Sequence, residues 1–145
     1  SFNSYLYKLL EYYNINYIGS PLFSYLLLND KALTNLESGM GLPNQIVTRQ
    51  AWIANRKSVE KKLLTFKLPA IVKPNTLAAS LGIDESSIIW NTDDFGKIID
   101  QRFQSFPHLT EILIESYLND ATEYTVSITG NTGRYLFNVS KLHHI

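Results

Sequence analysis

Leu68-Pro69-Ala70-Ile71-Val72-Lys73-Pro74 is the stretch that decides the reading of this chain. Its centre is a short apolar run with two β-branched residues, the pattern of a buried strand. The strand is read as Ala70 to Lys73, and Pro74 closes it because proline has no N–H to give to a ladder. A lysine at the end of a buried strand is expected to hold a fixed cation in a cleft beyond the sheet. Further on, Ile112-Leu113-Ile114 reads as a second buried strand and ends in the carboxylate of Glu115.

Outward from these strands, helical and extended patterns alternate. Phe2, Tyr5, Leu6, Leu9, Leu10 and Tyr13 follow the i, i+3, i+4, i+7 spacing of an amphipathic helix. Ser20-Pro21 suits the start of a short second helix, with Ser20 as cap. A third is expected from Asp30 to Ser38, stopped by Gly39 and Gly41. Gln45 to Thr48 reads as a strand and Ser58 to Phe66 as a helix. Asn75 to Gly82 is a loop of small residues, and Ile88 to Trp90 a strand. Asn91 or Thr92 caps a helix whose buried stripe is Phe95, Ile98, Ile99, Phe103 and Phe106. Tyr124, Val126 and Ile128 alternate with polar residues and predict a half-buried strand. It turns through Gly130-Asn131-Thr132-Gly133 into a return strand carrying Tyr135, Phe137 and Val139. Helices first and a hairpin last predict an α+β fold with a small, mostly antiparallel sheet packed by helices.

Composition narrows the function. The 145 residues suffice for one domain, and 45% hydrophobic with 18% charged residues is a globular balance. Basic and acidic residues number 13 each, which argues against a nucleic-acid module working by bulk charge. Without cysteine there is neither a disulfide framework nor a thiolate metal site. No stretch approaches a membrane span, no secretory signal is visible, and a cytoplasmic location is expected. The chain starts without an initiator Met, which suggests trimming or a piece of something longer.

Two readings stand for each candidate site residue. Lys73 is either a lysine snorkelling into solvent or an ammonium held against phosphate oxygens. The small residues Thr76, Ala78, Ala79, Ser80 and Gly82 favour close approach of backbone N–H groups to an anion. Glu115 and Glu123 are either solvated strand-end carboxylates or polar contacts to a nucleotide, with the backbone between them reading a base edge. A positive part and a negative part in one site match the polarity of ATP. His143-His144 reads as a frayed tail. His108 has no partner at ligand spacing, and Trp52 and Trp90 read as packing. No Ser-His-Asp order, GxSxG elbow or GxxxxGK[ST] loop occurs.

Taken in order, the segments Tyr17-Ile18-Gly19-Ser20-Pro21, Asn29-Asp30-Lys31-Ala32, Gly41-Leu42-Pro43, Leu68 to Pro74, Ser80-Leu81-Gly82-Ile83, Ile114-Glu115-Ser116-Tyr117-Leu118 and Glu123-Tyr124-Thr125-Val126 resemble the D-alanine–D-alanine ligase branch of the ATP-grasp superfamily. The resemblance implies that 29–145 is the central ATP-grasp subdomain and that 1–28 is the helical end of a preceding domain or linker. It implies that Lys73 binds the α- and β-phosphates and that Asn75 to Gly82, with Ser80, is the phosphate loop. Glu115 would face the adenine amino group, Ser116 to Leu118 would be the hinge reading adenine, and Glu123 would bind ribose. Lys31 matches the lysine of the family's Asp-Lys pair.

The departures are as informative. The family pattern has a second lysine four residues after Lys31, where this chain has Asn35. Its phosphate loop reads Arg-Glu-Gly-Ser-Ser, against Thr76-Leu77-Ala78-Ala79-Ser80 here. Both changes imply a weaker grip on phosphate. The family's Glu-x-Asn motif for Mg²⁺ is absent, so the Mg²⁺ ligands are expected outside this chain. The resemblance therefore implies the nucleotide-binding piece of a longer carboxylate–amine ligase acting through an acylphosphate. Amino-acid-like substrates and the remaining ligase domains would be its partners, and the piece alone would be inactive. The alternative is a degenerate ATP-grasp-like module that binds nucleotide or a protein partner without catalysis.

Overall fold

The computed structural model describes residues 2–131 and 133–142; the expectations for Thr132 and for His143-His144 fall outside them. Helices α1 (Phe2–Tyr12), α2 (Leu22–Asn29) and α3 (Lys31–Ser38) come first. Strand β1 (Asn44–Thr48), helix α4 (Arg49–Leu63), strands β2 (Ala70–Pro74) and β3 (Ile88–Ile89), helix α5 (Phe95–Ser105) and strand β4 (Glu111–Ser116) follow. A hairpin of β5 (Tyr124–Asn131) and β6 (Arg134–Lys141) comes last. The architecture is α+β, and every strand pair is antiparallel.

The main sheet has the order β1-β4-β2-β3. Period-two alternation gives it two faces with different jobs. Val47, Ala70, Val72, Ile89, Ile112 and Ile114 point to one side. There they pack with Trp52 and Leu63 of α4 and Phe95, Ile98, Ile99 and Phe103 of α5. This is the core, and nearly all of it is under 5% exposed. Ile46, Ile71, Lys73, Leu113 and Glu115 share the opposite face by register.

That register corrects the expectation of two strand ends meeting beyond the sheet. β2 and β4 are antiparallel, so their ends lie at opposite edges. Lys73 pairs with Leu113, and Glu115 pairs with Ile71. The two charges are diagonal neighbours on one sheet face, within reach of long side chains.

Local chemistry explains the helix boundaries. Thr48 caps α4 by accepting from the Ala51 N–H at 3.1 Å, so the helix starts well before Ser58. It is broken at Asn55 (φ −139°, ψ 38°), which masks its periodicity in the sequence. Ser20 does not cap α2. The helix begins after Pro21, and the Leu22 N–H is satisfied by Glu11 Oε1 at 2.8 Å. Asp30 is the cap of α3 rather than its first residue, and Gly39 ends it in the left-handed conformation.

Three polar side chains, Asn75 and Arg102 buried and Arg49 partly so, complete the frame. Asn75, with no exposure, donates through Nδ2 to Asp30 Oδ1 and Glu111 Oε2, both at 3.0 Å, and accepts from the Ala32 N–H. It therefore ties the start of α3 to β2 and β4. Arg102, buried in α5, donates to Asp84, Ser86 and Ser87 and anchors the segment ahead of β3. Arg49 donates to the carbonyls of Phe103, Phe106 and Leu109, closing the end of α5.

The hairpin differs from its expectation. Both its strands are exposed rather than half-buried: Val126, Ile128, Phe137 and Val139, opposite one another on one face, are 52–65% exposed. Helices α2 and α3 likewise contain no fully buried residue.

Candidate functional site

The charged pair on the sheet face opposite the core is the starting point. Lys73 Nζ donates to Glu115 Oε1, and the two side chains are 17% and 12% exposed. Asn35 of α3 donates from Nδ2 to the other carboxylate oxygen, Oε2, at 3.2 Å. The pair is thus partly withdrawn from water, with a donor on each carboxylate oxygen, which helps a half-buried ion pair to be tolerated.

Around it lies a cleft of about 720 Å³, within the range of small-molecule sites. The structure brings Lys73, Ser80, Glu115, Ser116, Tyr117, Leu118 and Glu123 together in its lining. Ile71, Ile83 and Leu42 supply apolar wall, and Asp120 adds a carboxylate. Ile71 was legible in principle, because it shares the face of Lys73 two residues away. Asp120, Leu42 and Ile83 carry no local signal, because chain geometry alone brings them in.

The lining backbone is unusual. Ala79 (φ 55°), Ser80 (φ 54°) and Asp120 (φ 59°) adopt left-handed conformations without being glycine. At Gly82 (φ 76°) a Cβ would lie 2.8 Å from both Phe106 and Pro74, so the loop after β2 closes tightly against its own strand. The Tyr117 N–H is committed to the Pro69 carbonyl at 2.9 Å and the Ser116 N–H to Pro43 at 3.1 Å. Those bonds set the angle at which the chain leaves β4 and carries Leu118 along the cleft. Trp90, 61% exposed, meets the Tyr117 ring edge-on at 6.2 Å between centroids.

Lys31 stands apart from the lining. Its ammonium donates to the carbonyls of Pro74 (3.0 Å), Asn75 (3.3 Å) and Leu77, and so clasps the loop that follows β2. Burial, with the nearby Lys73 cation, lowers its pKa below the ordinary lysine value. Among the described residues no group of three or more His, Asp or Glu side chains could hold a metal ion.

A second concavity, of about 620 Å³, is lined by Thr48, Arg49, Gln50, Ile53, Ala54, Thr110 and Glu111. Its guanidinium is spent on three backbone carbonyls. With no set of polar groups converging there, the cleft at Lys73 is the candidate site.

Residues 37–145 match the family model described as D-ala D-ala ligase C-terminus. The chain belongs to the D-alanine–D-alanine ligase family. It is 30% identical over 142 residues to the D-alanine–D-alanine ligase of a Nitratiruptor species, covering 95% of this chain and 36% of that protein. The crystal structure of the Helicobacter pylori D-alanine–D-alanine ligase superposes with a TM-score of 0.76 at 25% identity, covering 94% of this chain and 40% of that one. The Bacillus anthracis ligase complexed with ATP shares the fold, with a TM-score of 0.59 at 21% identity, covering 95% and 48%. The chain therefore spans less than half the length of these ligase-family proteins. No helix among the described residues is long and apolar enough to cross a membrane.

Proposed function

We propose that the cleft at the Lys73–Glu115 face of the sheet binds ATP, as part of an ATP-dependent ligase that joins a carboxylate to an amine. The observation that carries this reading is the convergence of Lys73, Glu115, the 116–118 segment and Glu123 on one cleft of about 720 Å³. In this assignment Lys73 supplies positive charge to the phosphates and Glu115 accepts from the adenine amino group. The backbone after Tyr117 meets the base edge, and Glu123 accepts from ribose hydroxyls. Ser80 and the tight loop around it approach the polyphosphate through backbone N–H groups. Lys31, with its ammonium on three carbonyls, holds that loop in place rather than contacting phosphate directly in this conformation.

The reaction assigned to the full-length enzyme transfers the γ-phosphoryl group of ATP to a substrate carboxylate. The amine of a second amino-acid-like substrate then attacks the acyl carbon and displaces phosphate. Such transfers depend mainly on positioning and charge stabilisation, and Mg²⁺, when bound, would supply further positive charge to the phosphates, with its ligands expected from the rest of the full-length enzyme. Residues 29–145 act as the nucleotide-binding part, and 1–28 as the helical end of a preceding domain or linker. By themselves these 145 residues are expected not to turn over.

Calorimetric titration of ATP tests the assignment. Lys73→Ala and Glu123→Ala are each expected to weaken ATP binding by about tenfold or more, the scale of one charged hydrogen bond. Unchanged affinity in both would refute it. A second reading, nucleotide binding without ligation even in the full-length protein, is favoured by Asn35 standing on Glu115 where the family pattern has a lysine. Ligation by the full-length protein would rule that reading out.

A further inference from the structure

Asn35 acts on the cleft from α3, through Glu115. Its amide donates to Oε2 while Lys73 donates to Oε1, so each carboxylate oxygen has one donor. The carboxylate cannot rotate without breaking one of them. A carboxylate has about four lone-pair sites, so capacity remains for a third donor, and Glu115 lines the cleft. The position of Asn35 is fixed from both sides. Asp30 caps α3 and is tied to buried Asn75. A Cβ placed on Gly41 would lie 2.5 Å from Asn35 Cβ, so the Gly41 backbone packs directly against this side chain.

We propose that Asn35 is a positioning residue for base selection: it orients Glu115 to accept from a base bearing an exocyclic amino group and to reject one bearing a carbonyl there. The proposal rests on the ATP reading above. A carbonyl oxygen facing this carboxylate would leave two acceptors with no proton between them, and such mismatches discriminate strongly in sites built for a hydrogen bond. The neutral amide suits the role. It orients the carboxylate without adding a second cation to compete with Lys73 for it.

The test is calorimetric titration of the full-length protein with ATP and with inosine triphosphate, which carries a carbonyl where ATP carries the amino group. Wild type is expected to prefer ATP by about tenfold or more. Asn35→Ala should shrink that preference several-fold by losing ATP affinity, with inosine triphosphate nearly unaffected. Asn35→Asp, the same shape with an acceptor in place of the donor, should collapse it as well. Asn35→Lys keeps a donor to Glu115 and should retain it. A purely structural Asn35 would weaken both nucleotides in parallel. An unchanged ratio in Asn35→Ala and Asn35→Asp, or in Asn35→Asp alone should the alanine variant not fold, overturns the proposal. Failure of wild type to bind either nucleotide overturns the ATP reading itself, and the proposal with it.

Discussion

The four-stranded sheet and the β5–β6 hairpin solve the same problem with opposite success. Both are antiparallel and both line one face with apolar residues. The sheet buries one face under α4 and α5, so Val72, Ile112 and Ile114 have no exposure. The hairpin also gathers apolar residues on one face, yet its paired Val126 and Val139, and Ile128 and Phe137, stand open to solvent. Two-stranded ribbons are marginal without a third strand or a packed helix. The difference teaches that alternation specifies which side of a strand wants cover, not whether the chain supplies that cover. The cleft lies where the two regions meet, with Lys73 and Glu115 on the sheet and Glu123 and Tyr124 at the root of the hairpin.

The contrast can be broken most directly by matched truncations. Ile114→Ala is expected to cost about 3 kcal/mol in denaturant unfolding, the usual cost of a large core cavity. Val139→Ala, in the hairpin, should cost less than about 1 kcal/mol, the scale of one cross-strand pair. Similar losses for the two would mean the hairpin is packed in solution.

A smaller effect is expected at Asn75, where the frame is polar. Asn75→Ala strands the Ala32 N–H and takes one donor from each of Asp30 and Glu111. The expected loss is about 2–3 kcal/mol, read by the same unfolding curves. It should appear together with faster amide exchange at the start of α3, because the Asn75 side chain is one of the links from that start to the sheet.

Smaller still is Gly82→Ala, which combines a positive φ with contacts of 2.8 Å to Phe106 and Pro74. A cost of about 1–2 kcal/mol is expected in thermal unfolding, from the left-handed backbone and the crowding together. No change would show the loop to be looser than the sheet it borders.

The weakest test uses pH. Hydrogen bonds from Ser86, then Arg102, hold Asp84 below the ordinary aspartate value of 3.8. A carboxylate with a depressed folded pKa adds stability above its unfolded pKa and loses it as pH falls through the folded one. Wild type should therefore lose more stability than Asp84→Asn as acid unfolding proceeds below that value. The margin should be small, since the Asp84 side chain is 57% exposed.

Periodicity and turn residues are local signals, and they make the strand from Ala70, the apolar stripe of the helix from Phe95 and the two strands of the hairpin legible in the sequence. The meeting of Lys73 with Glu115 is legible too, but its geometry is not. Strand direction is a tertiary property, and antiparallel pairing makes these charges neighbours across a face rather than at an edge. The start of α4 is hidden because the break at Asn55 interrupts its apolar spacing. In the sequence Asn35 reads as a lost cation. Only the structure shows its amide on Glu115, because the donor and the acceptor come from distant parts of the chain.

The contact between Trp90 and Tyr117 has a practical consequence. The chain has two tryptophans, and Trp52 is 5% exposed with its indole N–H on Asp100. Trp90 alone faces solvent beside a residue of the cleft wall. Its emission should therefore respond to occupancy of the cleft, while that of Trp52 remains a constant background, which gives the protein a built-in fluorescent reporter of ligand binding.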